Sequence, residues 1–149
     1  MDSSDDDSKK PWVLVVEDDT ELCTQLVRAL ASSGFRCVSA GKATRAIQLC
    51  ANQAFACIVL DMKLEQGSGE QVLSVIRKDL RGLNLHTPVL VSSGFLTPDL
   101  VKRIGKDIQG AMVKPFKKAE FVEKVHAMCN LPVMSATNGE PDESDGTKS

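Results

Sequence analysis

Five short apolar runs alternate with longer amphipathic segments along this chain, and this alternation restricts its fold more than any other feature. The run over 12–16, WVLVV, is continuously apolar, as expected of a strand buried on both faces. The next segment repeats Leu22, Leu26 and Leu30 at helical spacing and ends at Gly34. Strands that alternate with helices form a parallel sheet covered by helices on both faces. The sequence therefore predicts an α/β fold.

The strand–helix pattern occurs five times. Strands are predicted over 12–16, 35–39, 55–60, 88–92 and 110–113. Helices are predicted over 20–33, 42–52, 68–80 and 117–128, and another begins after Thr97, an N-cap residue followed by Pro98. Right-handed crossovers and this size favour a doubly wound, five-stranded parallel sheet of flavodoxin-like order 2-1-3-4-5. In that order the binding crevice lies at the carboxyl ends of the first and third strands.

The 149 residues fit one domain, which is predicted over 11–132. Residues 1–10 and 133–149 are rich in acidic and small polar residues and are predicted to be disordered acidic tails. The formal charge of the chain is −2, yet residues 11–130 carry +3. That charge is too small to indicate nucleic-acid binding, for which a clearly basic face is typical.

The longest apolar runs are too short to span a bilayer, and no secretory signal pattern is seen, so a cytoplasmic location without direct membrane contact is expected. The five cysteines include no C-x-x-C pair. They are interpreted as small core residues in a reducing compartment.

Polar residues follow four of the predicted strands at the edge where a crevice is expected. The first strand runs into Glu17-Asp18-Asp19, the third into Asp61, the fourth into Ser92-Ser93-Gly94 and the fifth into Lys114-Pro115-Phe116. Carboxylates from two neighbouring strands repel unless a cation neutralises them, and Mg²⁺ binds one or two carboxylates together with phosphate oxygens. A lysine and a hydroxyl beside them complete an electrostatic site suited to phosphoryl transfer, with a carboxylate as nucleophile.

The order of these motifs resembles the response-regulator receiver domains, the CheY-like family of two-component signalling. The resemblance rests on VVED in the first strand, LDMKL with Gly69 in the third, PVLVSSG in the fourth and KPF after the fifth. It covers residues 12–129, about four-fifths of the chain.

The resemblance implies a role for each strand-end residue. Asp61 would accept the phosphoryl group, with Ser93 as the switch hydroxyl and Lys114 as the phosphate-binding lysine before a cis proline. Asp18 would bind Mg²⁺ directly, Glu17 largely through water, and Lys63 through its backbone carbonyl; Asp61 completes the metal site.

The resemblance also implies partners. A sensor histidine kinase or phosphotransfer protein would donate the phosphoryl group, and a downstream protein would bind the face formed by the fourth helix, fifth strand and fifth helix. The domain would not be an enzyme beyond promoting its own phosphorylation and slow dephosphorylation.

Two positions depart from the family pattern: Ala111 stands where an aromatic residue is usual, and Glu65 where proline is frequent. The resemblance also implies that Lys63 and Phe95 flank the path of the hydrolytic water; neither can orient water as a carboxylate or an amide does, and Phe95 adds bulk near the entry. A long-lived phosphoryl group is therefore expected.

Three other readings compete with a phosphorylated receiver. A phosphatase of the haloacid dehalogenase class is disfavoured because Lys63 stands where its second aspartate is required. A dinucleotide-binding module would need a glycine-rich loop after the first strand. A pseudo-receiver, acting as a phosphorylation-independent interaction module, remains the alternative.

Overall fold

The computed structural model describes residues 8–130 and contains one five-stranded parallel sheet. The strands are β1 (Trp12–Val16), β2 (Arg36–Ala40), β3 (Cys57–Asp61), β4 (Val89–Ser93) and β5 (Gly110–Val113). The helices are α1 (Thr20–Ala31), α2 (Ala43–Asn52), α3 (Gly69–Lys78), α4 (Pro98–Ile104) and α5 (Lys118–Cys129), with a 3₁₀ turn at Gly105–Asp107. The order β2-β1-β3-β4-β5 confirms the predicted doubly wound, flavodoxin-like fold.

Each central strand is buried on both faces because its side chains alternate between two cores. On one face, Leu14, Ile58 and Val91 pack with α2, α3 and α4. On the other face, Val15, Val59 and Leu90 pack with α1 and α5. The continuous apolar runs are thus required by the two helical layers, and the carboxyl edge of the sheet is left for polar groups.

The amino edge of the sheet is organised by Asn84, which is 2 % exposed. Its amide nitrogen donates to the carbonyl oxygens of Cys50 (2.8 Å) and Gln53 (2.9 Å). Its amide oxygen accepts from the Phe55 nitrogen (2.9 Å) and from the Thr87 hydroxyl (2.8 Å). The Phe55 nitrogen thus bonds to a side chain and not to a neighbouring strand, and the third strand begins at Cys57, two residues later than predicted.

Helix ends also differ slightly from the predicted limits. Ser68 is the N-cap of α3, with its hydroxyl accepting from the Gln71 nitrogen at 3.1 Å, so this helix begins one residue later. It ends at Lys78 because Asp79 adopts an extended backbone. Thr97 caps α4 as predicted, accepting from the Leu100 nitrogen at 3.1 Å.

Trp12, the sole tryptophan of the sequence, lies at the amino end of β1. The Arg36 guanidinium stacks 4.6 Å from its ring centroid. Arg36 also donates to the carbonyl oxygens of Lys10 (2.9 Å) and Ser8 (3.3 Å). The remainder of the predicted acidic tails, residues 1–7 and 133–149, lies outside the described residues.

Within residues 8–130, the structure contains no helix with the length and apolar character needed to cross a bilayer. Of the five free cysteines, Cys50 and Cys57 are buried, whereas Cys23, Cys37 and Cys129 are only partly buried.

Candidate functional site

Three strand ends bring Glu17, Asp61 and Lys114 together at the carboxyl edge of the sheet. Asp61 is the last residue of β3, Glu17 follows β1, and Lys114 follows β5. Both carboxylates are about 4 % exposed, and the lysine side chain is 22 % exposed. The Lys114–Pro115 peptide bond is cis, as the resemblance implied.

Lys114 joins the two buried carboxylates. Its Nζ donates to Glu17 Oε1 at 2.7 Å and to Asp61 Oδ2 at 3.1 Å. Burial acts to lower the pKa of Lys114, but its hydrogen bonds with Glu17 and Asp61 outweigh burial, and the pKa is raised. The ammonium group is therefore held charged beside Asp61.

The pKa of Glu17 is raised above its ordinary value. Burial raises the pKa of Glu17, and the nearby Asp61 charge adds to the rise. Hydrogen bonds from Lys114 and from the Asp19 nitrogen (3.1 Å) only partly oppose this effect. Asp19 itself caps α1, with its carboxylate accepting from the Leu22 nitrogen at 3.1 Å.

Glu17, Asp18 and Asp61 can each place one carboxylate oxygen within 4.8 Å of those of the other two. An all-oxygen donor set of this kind suits a hard divalent cation such as Mg²⁺. Within residues 8–130, Lys114 is hydrogen-bonded to two of the three carboxylates, Glu17 and Asp61, and not to Asp18. These residues therefore fit the Mg²⁺ ion that is predicted at this edge of the sheet.

The loop from β3 to α3 orients two of these carboxylates. The Glu65 nitrogen donates to Asp18 Oδ2 at 2.7 Å, and the Lys63 nitrogen donates to Asp61 Oδ1 at 3.1 Å. Lys63 also forms an isolated bridge with Ser68, which fixes its backbone. The metal-ligand role of the Lys63 carbonyl stays a prediction.

Gly67 fixes that loop against helix α2. Its φ of +85° is left-handed, and a Cβ there would collide with Ala43. The Ala43 nitrogen also donates to the Gln66 carbonyl at 3.2 Å. The pattern of strand ends predicts no site role for Glu65 or Gly67; the sequence QGSG over residues 66–69 is the available signal for a tight turn.

Ser93 is 5 % exposed and engaged within its own loop. Its hydroxyl donates to the Phe95 carbonyl at 3.0 Å and accepts from the Phe95 nitrogen at 3.2 Å. The neighbouring Ser92 hydroxyl is buried and has no hydrogen-bond partner among the described residues. Phe95 is 75 % exposed beside this loop.

A family model described as the response regulator receiver domain matches residues 13–126. The sensor histidine kinase AruS of Pseudomonas aeruginosa is 34 % identical over 111 residues, which are 73 % of this chain and 11 % of that protein. The cell cycle response regulator CtrA of Brucella ovis is 30 % identical over 117 residues, 78 % of this chain and 49 % of that protein. This chain therefore spans half or less of the length of these relatives.

Solved receiver domains share the fold. The non-phosphorylated HemR receiver domain of Leptospira biflexa is 27 % identical with a TM-score of 0.75, covering 83 % of this chain and 97 % of that one. The receiver domain of the sensor histidine kinase PA1611 of Pseudomonas aeruginosa is 21 % identical with a TM-score of 0.74, covering 82 % and 99 %. The PA1611 structure has a magnesium ion coordinated in its active-site cleft.

Proposed function

The chain belongs to the response regulator receiver domain family of two-component systems, and we propose that it accepts a phosphoryl group on Asp61 in the presence of Mg²⁺. The observation that carries the proposal is the placement of Lys114 between Asp61 and Glu17. A fixed cation beside a buried carboxylate suits a nucleophile that receives an anionic group.

The transfer requires one bond to form and one to break. An Asp61 oxygen attacks phosphorus, and the bond from phosphorus to the donor's nitrogen or oxygen breaks, with its electron pair leaving on the donor. The donor would be the phosphohistidine of a sensor histidine kinase or of a phosphotransfer protein. The product is an acyl phosphate on Asp61.

Lys114 holds charge where the transferred group arrives. Its Nζ donates to Asp61 Oδ2 in the structure and would donate to a phosphoryl oxygen once Asp61 is phosphorylated. Glu17, Asp18 and Asp61, with the Lys63 carbonyl, would hold Mg²⁺, which when bound supplies positive charge to the same oxygens.

Ser93 would couple phosphorylation of Asp61 to a movement of the loop that leads into α4. Its hydroxyl now bonds to the Phe95 backbone. Donating instead to a phosphoryl oxygen breaks the bond to the Phe95 carbonyl and releases the loop that leads into α4. The output would be altered binding of a downstream protein at the α4-β5-α5 face, where Val101 and Val113 are exposed.

Acetyl phosphate labelling, followed by intact mass spectrometry, tests the function. We expect one added phosphoryl group that requires Mg²⁺ and is absent from Asp61→Asn. Labelling that survives EDTA or that maps to a serine contradicts the proposal. A folded chain that takes no phosphoryl group from either acetyl phosphate or a phosphorylated kinase would be a pseudo-receiver, acting as a phosphorylation-independent interaction module.

Lys114→Ala provides a second test of the site. Loss of one preorganised charge should slow labelling by the equivalent of about 2–4 kcal/mol of transition-state stabilisation. The matched control is Lys117→Ala, because Lys117 is exposed three residues away. Equal labelling rates in the wild type and Lys114→Ala would exclude the proposed role.

A further inference from the structure

Two cysteines meet far from the acidic site. Cys57, the first residue of β3, is completely buried, and Cys129, the last residue of α5, is partly buried. Both residues belong to the core between the sheet and helices α1 and α5, their thiols are neighbours, and neither residue is in a disulfide. The start of β3 and the end of α5 therefore each bring a free thiol to the same part of the core.

A cavity borders one of these two residues, Cys129. The cavity has a volume of about 580 Å³ and lies at the amino edge of the sheet, where Cys129 lines it together with Arg81, His86 and Pro88. Cys57 does not line this cavity and has no exposed surface. A small oxidant can therefore reach Cys129 first, with Cys57 directly behind it.

The two thiols are also chemically unequal. The hydrogen bond from Cys57 lowers the pKa of Cys129, although burial opposes that effect. The same bond, together with burial, raises the pKa of Cys57 well above its usual range. Since the thiolate is the reactive form, the place of Cys129 at the cavity and its lowered pKa together make it the attacking thiol, with Cys57 the resolving one.

We propose that Cys57 and Cys129 form a redox modification site, which a hydroperoxide converts into an intramolecular disulfide. The Cys129 thiolate attacks one peroxide oxygen, the O–O bond breaks, and the other oxygen leaves with the electron pair. The Cys57 sulfur then attacks the resulting sulfenic sulfur, and the S–O bond breaks with loss of water. In total each thiol loses one hydrogen atom, and hydrogen peroxide is reduced to two water molecules.

The other three cysteines lack this combination of contact and activation. Burial raises the pKa of Cys37 and of Cys50 to about 11. Burial also raises the pKa of Cys23, which lies near Cys37. The pair Cys23 and Cys37 thus serves as an internal comparison, because its members are neighbours without a thiol of lowered pKa.

The test uses the full chain treated with graded hydrogen peroxide, blocked with iodoacetamide and digested without reductant. We expect an intact-mass loss of two hydrogen atoms and a peptide that links Cys57 to Cys129. Dithiothreitol should remove the link. The oxidised protein should also show a higher Tm than the reduced protein, since the cross-link restricts the unfolded chain.

Variants separate the two steps. Cys57→Ser should stop the reaction at a sulfenic acid on Cys129, which dimedone traps, and Cys129→Ser should give no cross-link. Cys50→Ser is the matched control and should form the same disulfide as the wild type.

Peptide mapping of the wild type decides the proposal even if a core variant unfolds. Preferential linkage of Cys23 to Cys37 would overturn it, as would oxidation of Cys129 to the sulfinic acid without any link to Cys57. The proposal does not depend on phosphorylation of Asp61, so the two can fail separately.

Discussion

Replacing Asn84 by aspartate should lower the free energy of unfolding by about 2–6 kcal/mol. The new carboxylate can still accept from the Phe55 nitrogen and the Thr87 hydroxyl. It cannot donate, so the carbonyl oxygens of Cys50 and Gln53 lose their bonds at 2.8 and 2.9 Å. A buried acceptor left without a partner costs about 1–3 kcal/mol, and two are affected.

The charge of the new carboxylate adds a pH dependence. A buried aspartate facing two carbonyl oxygens has a raised pKa, because burial disfavours its charged form. The folded variant therefore binds this proton more tightly than the unfolded chain, and its deficit relative to the wild type should shrink as the pH falls.

Urea denaturation followed by far-UV circular dichroism, in EDTA at pH 7, measures the effect. The control is Asn52→Asp, because Asn52 is exposed and its amide also donates to a carbonyl, that of Gln48 at 2.9 Å. The control should lose no more than about 0.5 kcal/mol. Equal losses in the two variants, or a loss below about 1 kcal/mol for Asn84→Asp, would refute the argument from buried hydrogen bonds.

Three other predictions concern the acidic site. Gly67→Ala should weaken Mg²⁺ binding, measured by calorimetry, by about 10-fold or more, because it displaces the loop that orients Asp18. Gly94→Ala is its control, since a Cβ there meets open space, and equal affinities would contradict the prediction. In EDTA, Glu17→Gln should be more stable than the wild type at pH 7, because burial raises the pKa of Glu17 and the fold disfavours its charged form. Urea denaturation at several pH values should show the difference in free energy of unfolding between Glu17→Gln and the wild type disappearing as the pH falls, because the wild-type carboxyl becomes protonated. A difference that grows at low pH would contradict the prediction. Finally, the phosphoryl group should be long-lived, and Lys63→Asn or Phe95→Ala should shorten its lifetime in a dephosphorylation time course. Loss within seconds in the wild type, with neither variant changing the rate, would remove these two residues from the water path.

The fold could be predicted because its determinants are periodic and local. Continuous apolar runs predicted strands that are buried on both faces. The helical spacing of leucines and valines predicted the helices that pack on those two faces. The convergence of Glu17, Asp61 and Lys114 followed from the same pattern, since parallel strands place their carboxyl ends at one edge. Those three side chains are in contact in the structure.

The contacts that the sequence did not predict join loops distant in the chain. The Glu65 nitrogen reaches Asp18 across 47 positions, and Asn84 reaches Cys50 across 34. Backbone amides carry no residue-specific signal, so the first contact had no motif. The bond of Ser93 to Phe95 was missed for another reason: a serine hydroxyl can turn toward its own loop or toward the crevice, and spacing does not decide between them.

The position of Trp12 at the amino end of β1 has a spectroscopic consequence. Trp12 lies four residues before the end of β1, about 13 Å along the strand from its carboxyl end. Its emission should therefore be insensitive to events at Asp61, and the wild type should give a nearly constant fluorescence signal on Mg²⁺ addition or phosphorylation. Because the wild-type fluorescence should stay nearly constant, a tryptophan introduced elsewhere can serve as a fluorescent probe. A Phe95→Trp substitution in a Trp12→Phe background would place the one indole on the exposed loop beside Ser93, where its emission would follow the loop's movement directly.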